Sequence, residues 1–222
     1  MTYERVIPAI FLSRQNRFSA LVRLDGEVRT VHVKNTGRLR ELLLPGTEVF
    51  LAPAENPARK TAFDLVSLRR PDGRFVNIDS QAPNRVVREW LEGRGWDRIL
   101  PEYRYGASRL DFCLERGGQT LLLEVKGCTL ERDGIGFFPD APTDRGARHL
   151  RELTGACRAG LRAAAAFVIQ MEGVEKVLPN RDTDPAFALA LEEAVRAGVE
   201  LWYLPCRVTP SVLGIADRIM GP

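Results

Sequence analysis

Ser108-Arg109-Leu110-Asp111-Phe112-Cys113-Leu114 and, after Arg116-Gly117-Gly118-Gln119, Thr120-Leu121-Leu122-Leu123-Glu124-Val125-Lys126 form two short apolar runs around a Gly-Gly pair. The first alternates, and the second stays apolar until its last charged residues. Both read as buried strands, and Gly117-Gly118 reads as a tight hairpin turn. With those glycines as the loop, Arg116 faces Gln119, and counting back along both strands sets Asp111 opposite Glu124. A four-residue loop gives the same register. Opposed residues hold their Cβ atoms about 4.5 to 5.5 Å apart. Lys126 lies two residues past Glu124 and so projects from the same face.

Two carboxylates that close repel, and a buried strand needs something to compensate them. A divalent cation is one answer, since Mg²⁺ is commonly held by one or two carboxylates plus waters and a phosphate oxygen. An ordinary cross-strand cluster neutralised by Lys126 is the other. The chain has 32 Lys and Arg in all, of which only Lys34, Lys60, Lys126 and Lys176 are lysine. Arg is thus its default cation, and a Lys at 126 points to a need for a compact ammonium.

The 222 residues, 45% hydrophobic and 27% charged, suit a globular chain of one large or two small domains. The N-terminus lacks a basic-then-apolar signal pattern, and the longest apolar run, Ala163 to Ile169, is too short to span a bilayer. Cys113, Cys128, Cys157 and Cys206 have no metal spacing and read as free thiols in a reducing compartment. The expected location is cytoplasmic, without membrane association. Net charge is only +3, but residues 1–80 hold 13 basic against 9 acidic side chains. Residues 145–162 add five Arg against one Glu. Two basic zones flanking an acidic site suit a polyanion.

Residues 1–80 read as strands at 5–12, 18–24, 28–33, 47–52, 62–68 and 75–78, with a short helix near Leu39 to Leu44. That pattern fits a small OB-type barrel, with an SH3-like barrel as the competitor. Arg14, Arg17, Lys34, Arg38, Arg40, Arg59 and Lys60 offer it a basic face. From residue 81 the pattern becomes helix, hairpin, helix, strand, helix, strand, an α/β sandwich with a mixed central sheet. Asn84 is the expected N-cap of the first helix, with Val86, Val87, Trp90 and Leu91 on its apolar face and Glu89 near the hairpin. The second helix spans about Arg145 to Arg158, with Leu150, Leu153 and Cys157 as its stripe and Arg145, Arg148, Arg151 and Arg158 opposite. The third starts at Asp184-Pro185, and Val208 to Met220 has no assignable element.

An acidic residue on one hairpin strand and E-x-K on the next resembles the PD-(D/E)xK nuclease superfamily. The ordered strings HVKNTGRLRELLLPG, SRLDFCL, LLEVKGCTL and FPDAPTDRGARHLREL resemble the SfsA, or sugar fermentation stimulation, family over nearly the whole chain. Leu110 stands where the superfamily pattern has Pro, a position that supplies no ligand. The resemblance implies an N-terminal OB-like barrel (1–80) that binds nucleic acid and a nuclease-like α/β domain (81–222). It further implies Asp111, Glu124 and Lys126 as catalytic residues, and Mg²⁺ or Mn²⁺ on Asp111, Glu124 and the Val125 carbonyl. Asp140, Arg145, Arg148 and His149 are expected at substrate phosphates, with Asn35, Thr36 and Arg38 as the barrel's contacts. The partner implied is nucleic acid, DNA first, and a homo-oligomer is compatible. Two functions follow: metal-dependent phosphodiester hydrolysis, or DNA binding without cleavage by a regulator of sugar metabolism genes.

Overall fold

A computed structural model describes residues 1–56 and 58–216. Strands β1 (Ile7–Asn16), β2 (Ser19–Leu24), β3 (Glu27–Val33), β4 (Glu48–Pro53), β5 (Phe63–Arg69) and β6 (Phe75–Asn77) form one sheet in the order β3-β2-β1-β4-β5-β6. β3 also runs parallel to β5, through His32 opposite Asp64 and Val33 opposite Leu65, and this closes the sheet into a barrel. Asp25 and Gly26 both have positive φ, the geometry of a two-residue hairpin turn whose twist matches its strands. A bulge between Phe11 and Ser13 bends β1, and β1 pairs with β4 on one edge and β2 on the other. Phe11, Val22, Val31, Val33, Leu51 and Leu65 are buried in the barrel core.

The short helix expected near Leu39 is instead a single turn, in which the Leu43 amide donates to the Leu39 carbonyl at 2.9 Å. Leu39 has φ of +48, which a right-handed helix does not accept, and Pro45, two residues past Leu43, has no amide to donate. Leu39, Leu42 and Leu43 are buried beneath the barrel all the same.

The rest of the chain comprises α1 (Ala82–Glu92), β7 (Arg98–Tyr105), β8 (Ser108–Arg116), β9 (Gln119–Cys128), β10 (Leu130–Arg132), β11 (Ile135–Phe138), α2 (Asp144–Arg158), β12 (Arg162–Ile169), β13 (Val177–Pro179), α3 (Pro185–Arg196), β14 (Glu200–Val208) and β15 (Leu213–Ile215). The main sheet runs β15-β14-β12-β9-β8-β7. It is mixed: β12 is parallel to both β9 and β14, whereas β7, β8 and β9 are antiparallel. β10, β11 and β13 make a smaller sheet beside it. Residues 217–222, the end of the span expected for the second domain and of the unassigned tail, lie outside the described residues.

Alternation along the central strands sorts side chains onto two faces. Ala164, Ala166 and Val168 of β12 join Leu121, Leu123 and Val125 of β9 beneath α1. Ala163, Ala165 and Phe167 join Leu122 on the other face, with Leu150 and Leu153 of α2 and Phe187 and Leu191 of α3. Each fully buried Leu or Phe contributes about 1.5 to 3 kcal/mol. Glu124 has the parity of Leu122, so it points toward α2.

α1 begins earlier than its expected cap. Asp79 accepts from the Gln81 amide at 2.9 Å, Pro83 occupies the first turn, and Asn84 lies inside the helix. Glu89 is exposed and pairs with the Met1 ammonium at 2.7 Å, away from the hairpin. Among the described residues no helix is long and apolar enough to cross a membrane.

Candidate active site

The Gly117-Gly118 turn has φ of +55 and +77, and its ladder pairs Arg116 with Gln119, Glu115 with Thr120 and so on to Phe112 with Leu123. The expected register is therefore present. At the next step the regular ladder lapses. On the other edge of β8, Pro101 pairs with Phe112 and Tyr103 with Leu110, but Glu102 between them has φ of +52 and is skipped by the β7–β8 ladder. Asp111 thus sits where β8 is released on both sides. Its carboxylate uses that freedom: Oδ2 accepts from the Val125 amide at 2.7 Å and Oδ1 from Asn84 Nδ2 at 2.7 Å. The N–H and C=O of one strand residue share an edge, so the Val125 carbonyl also faces the Asp111 side.

Glu124 is 2% exposed. Its Oε1 accepts from Lys126 Nζ at 2.5 Å and is in contact with His149 Nδ1. Its Oε2 is buried and, among the described residues, has no hydrogen-bond partner. Burial alone would raise the Glu124 carboxyl, but the bond from His149 and the Lys126 ammonium hold it below the ordinary carboxylate range. Asp111 goes the other way, raised first by burial and then by the Glu124 charge. Among the described residues no three His, Cys, Asp or Glu side chains converge as a ready metal cluster. Two carboxylates and a strand carbonyl nevertheless match what a hard, partly hydrated dication takes. The orphaned Glu124 oxygen is the observation that the fit explains, because buried polar atoms seldom go unpaired.

This centre forms one wall of a cleft of about 480 Å³. Arg17, Asn35, Thr36 and Gly37 of the barrel contribute to its lining, as do Asp140 and Arg145. α2 is anchored at its start: Thr143 Oγ1 accepts from the Gly146 amide at 3.0 Å, and the Thr143 amide donates to Asp184 Oδ2 at 2.8 Å. Asp184 also caps α3 through the Phe187 amide at 2.9 Å, so one carboxylate fixes both helix starts.

The barrel rim is built on Arg14. Its guanidinium donates to the carbonyls of Gly37 at 2.8 Å, Arg38 at 2.7 Å, Arg17 at 2.8 Å and Asn35 at 2.9 Å. From the other side Asp140 Oδ2 accepts from the Arg38 amide at 2.9 Å. A second groove of about 420 Å³ continues from the cleft past Arg17 and Thr36, and its described lining contains Arg14, Arg17 and Arg38 but no carboxylate.

The residues expected at substrate phosphates and as the barrel's contacts fall into two groups. Thr36, Arg38, Arg145 and Arg148 are exposed. Thr36 and Arg145 line the cleft and Arg38 the adjoining groove, whereas Arg148 lines neither. The other three are turned to structure. The Asn35 amide serves the backbone, donating to Ile78 at 2.8 Å and accepting from Gly37 at 2.7 Å. Asp140 is spent on the barrel loop. His149 is 3% exposed and faces inward, because its place on α2 is that of Leu153 and Ala156, four and seven residues on.

Two contributors are absent from the sequence-based site. Asn84, read as a cap, donates to Asp111. Gln170, just past β12, lines the cleft and donates from Nε2 to Asn77 Oδ1 at 2.8 Å and the Asp79 carbonyl at 3.0 Å. Its position after an apolar strand was the available signal, since a buried polar residue there needs partners.

A closed barrel leading into a mixed α/β sheet, with an acidic hairpin at their junction, resembles the nuclease-like superfamily in fold. Comparison with known proteins narrows this. The model "SfsA N-terminal OB domain" matches residues 12–78, and "Sugar fermentation stimulation protein RE domain" matches residues 81–212. A sugar fermentation stimulation protein homolog of Desulfitobacterium hafniense (strain DSM 10664 / DCB-2) is 46% identical over 223 residues, covering 99% of this chain and 97% of that protein. The homolog of Moorella thermoacetica is 44% identical over 223 residues, covering 97% and 96%. The solved structure of Pyrococcus furiosus SfsA in complex with Ca²⁺ superposes with a TM-score of 0.88 at 32% identity, covering 100% of this chain and 97% of that one. The chain belongs to the sugar fermentation stimulation protein (SfsA) family.

Proposed function

We propose that this protein is a metal-dependent nuclease of the PD-(D/E)xK type, acting on DNA, with Mg²⁺ or Mn²⁺ as its cofactor. The observation that carries the reading is the buried Oε2 of Glu124, unpartnered among the described residues, in a cleft that Asp111, Lys126, Arg17 and Arg145 also line. The Ca²⁺ bound by the Pyrococcus furiosus relative supports a divalent-cation site here. Asp111, Glu124 Oε2 and the Val125 carbonyl would hold the ion. The chemistry supplied by such an ion when bound is Lewis-acid polarisation of a phosphoryl oxygen. Lys126, on the same face as Glu124, offsets charge building on the phosphate and orients the attacking water. Arg145, in the first turn of α2, meets a flanking phosphate where the helix end already favours an anion. Thr36, Arg17 and Arg38 guide the strand along the barrel rim. Residues 1–80 serve as the nucleic-acid-binding unit and 81–222 as the nuclease-like unit, in a cytoplasmic protein.

A second reading draws on the Lys126–Glu124 ion pair at 2.5 Å, which lets the centre neutralise itself. In that case the protein is a non-cleaving DNA-binding regulator. The two separate in a panel of single- and double-stranded DNA and RNA, incubated with Mg²⁺, Mn²⁺ or EDTA, comparing wild type with Lys126→Ala. Cleavage that needs the metal and is abolished in a folded, still binding Lys126→Ala supports the nuclease. Intact substrates throughout, with binding retained, sink it in favour of the regulator.

A further inference from the structure

The two oxygens of Glu124 have different fates. Oε1 is taken by Lys126 and His149, and Oε2 by none of the described residues. The terminal torsion of a glutamate is broad, so something must decide which oxygen faces the cleft. Lys126 is a poor candidate. It leaves the same strand on a flexible four-carbon stem, its side chain keeps 12% exposure, and the reaction would draw its ammonium to phosphate.

His149 has the opposite character. Its ring is enclosed, and its helix is pinned at the start by the Thr143 cap and Asp184. Arg145, one turn earlier, directs Nε toward His149 Nε2 at 3.4 Å. A guanidinium only donates, so Nε2 accepts and the ring proton lies on Nδ1, facing Glu124. The imidazole is therefore oriented from both sides.

We propose that His149 is a positioning residue: by donating from Nδ1 to Glu124 Oε1 it holds the carboxylate with Oε2 toward a divalent cation and leaves Lys126 free to move to substrate. This rests on the metal-site reading above. Outer partners of this kind typically change metal affinity by about 10- to 100-fold when removed.

The experiment is Mn²⁺ titration by calorimetry, without nucleic acid, on wild type, His149→Ala, His149→Asn and His149→Gln. The Asn amide nitrogen falls near the place of Nδ1, and the Gln amide nitrogen near that of Nε2. Expected are a loss of about 10-fold or more in Mn²⁺ affinity for Ala and Gln, and near-wild-type affinity for Asn. Asn and Gln are similar polar replacements, so their comparison stands even if Ala folds poorly. Equal affinity in Asn and Gln, or an unchanged Ala variant, overturns the proposal while the metal site survives. A wild type that binds no Mn²⁺ overturns both.

Discussion

The Val125 amide donates to Asp111 Oδ2 at 2.7 Å, just beyond the last regular pair of the β8–β9 ladder, Phe112 with Leu123. A side chain has replaced a backbone acceptor there. The exchange keeps the strand edge satisfied while bringing a carboxylate to the end of the sheet. It also sets Asp111 and Glu124 on the same face with opposite electrostatic histories, which makes their titration informative.

Glu124, held low by His149 and Lys126 against the effect of burial, contributes stability above the unfolded carboxylate range. That contribution is lost as pH falls through its lower folded value. Asp111, raised by burial and by Glu124, does the reverse: stability is lost as pH rises from its unfolded value through the raised folded one. In EDTA at neutral pH, Asp111→Asn is expected to melt at or above wild type, and Glu124→Gln below it. Thermal melts across the acid range check both signs, and an Asp111→Asn protein that melts lower than wild type at neutral pH refutes the first.

Gly127 follows Lys126, and a Cβ there would run into Gln170 Oε1 and come within 2.8 Å of Pro83. Gln170 cannot step aside cheaply, because its amide nitrogen serves two carbonyls and the Asn77 side chain. Gly127→Ala is expected to cost about 1 to 3 kcal/mol, read as a lower urea midpoint at unchanged slope. An unshifted midpoint would mean that the Gln170 clasp is slack.

Arg17 and Arg38 line a groove beside the cleft whose described lining holds no carboxylate. Each Ala substitution is expected to weaken DNA binding and to reduce the salt slope by about one. Fluorescence anisotropy at several salt concentrations measures this, with Arg196→Ala on α3 as the control. A slope shared by all three variants and wild type counts against the groove.

Burial pushes the Cys128 and Cys206 thiols up to about 12 and raises Cys113 and Cys157 as well. Only Cys157 is partly accessible. Iodoacetamide on the native protein at mildly alkaline pH should label Cys157 slowly and the others only after denaturation. Mass spectrometry identifies the site, and early labelling of Cys128 would show the β9–β10 region opening.

Register was legible because two glycines leave one low-cost hairpin, and the parity of Asp111, Glu124 and Lys126 follows from it. The barrel strands were legible from alternation and turns. β7 was not: Arg98 to Tyr105 mixes charge, aromatics and Pro101 on a half-exposed edge, where packing rather than pattern decides. β10, β11 and β13 are three or four residues each, too short for any period. His149 was read with the arginines around it, although its spacing to Leu153 and Ala156 assigns it to the buried stripe. Asn84 has good capping chemistry, and only the Asp79 turn and Pro83 move the start of α1 ahead of it. Gln170 acquires meaning from residues more than ninety positions away, a relation that no local pattern carries.

Gln170 also joins the barrel to the sheet through the main chain. The Asn77 amide donates to its carbonyl at 2.9 Å, and Val76 is bridged to Met171 alongside. The two walls of the cleft therefore share a strip of backbone ladder at its floor. Swinging one wall away from the other would break that hydrogen bond and the bridge beside it. On the proposed function, a strand entering between them would meet a gap whose width is set before it arrives, as in a gauge rather than a jaw.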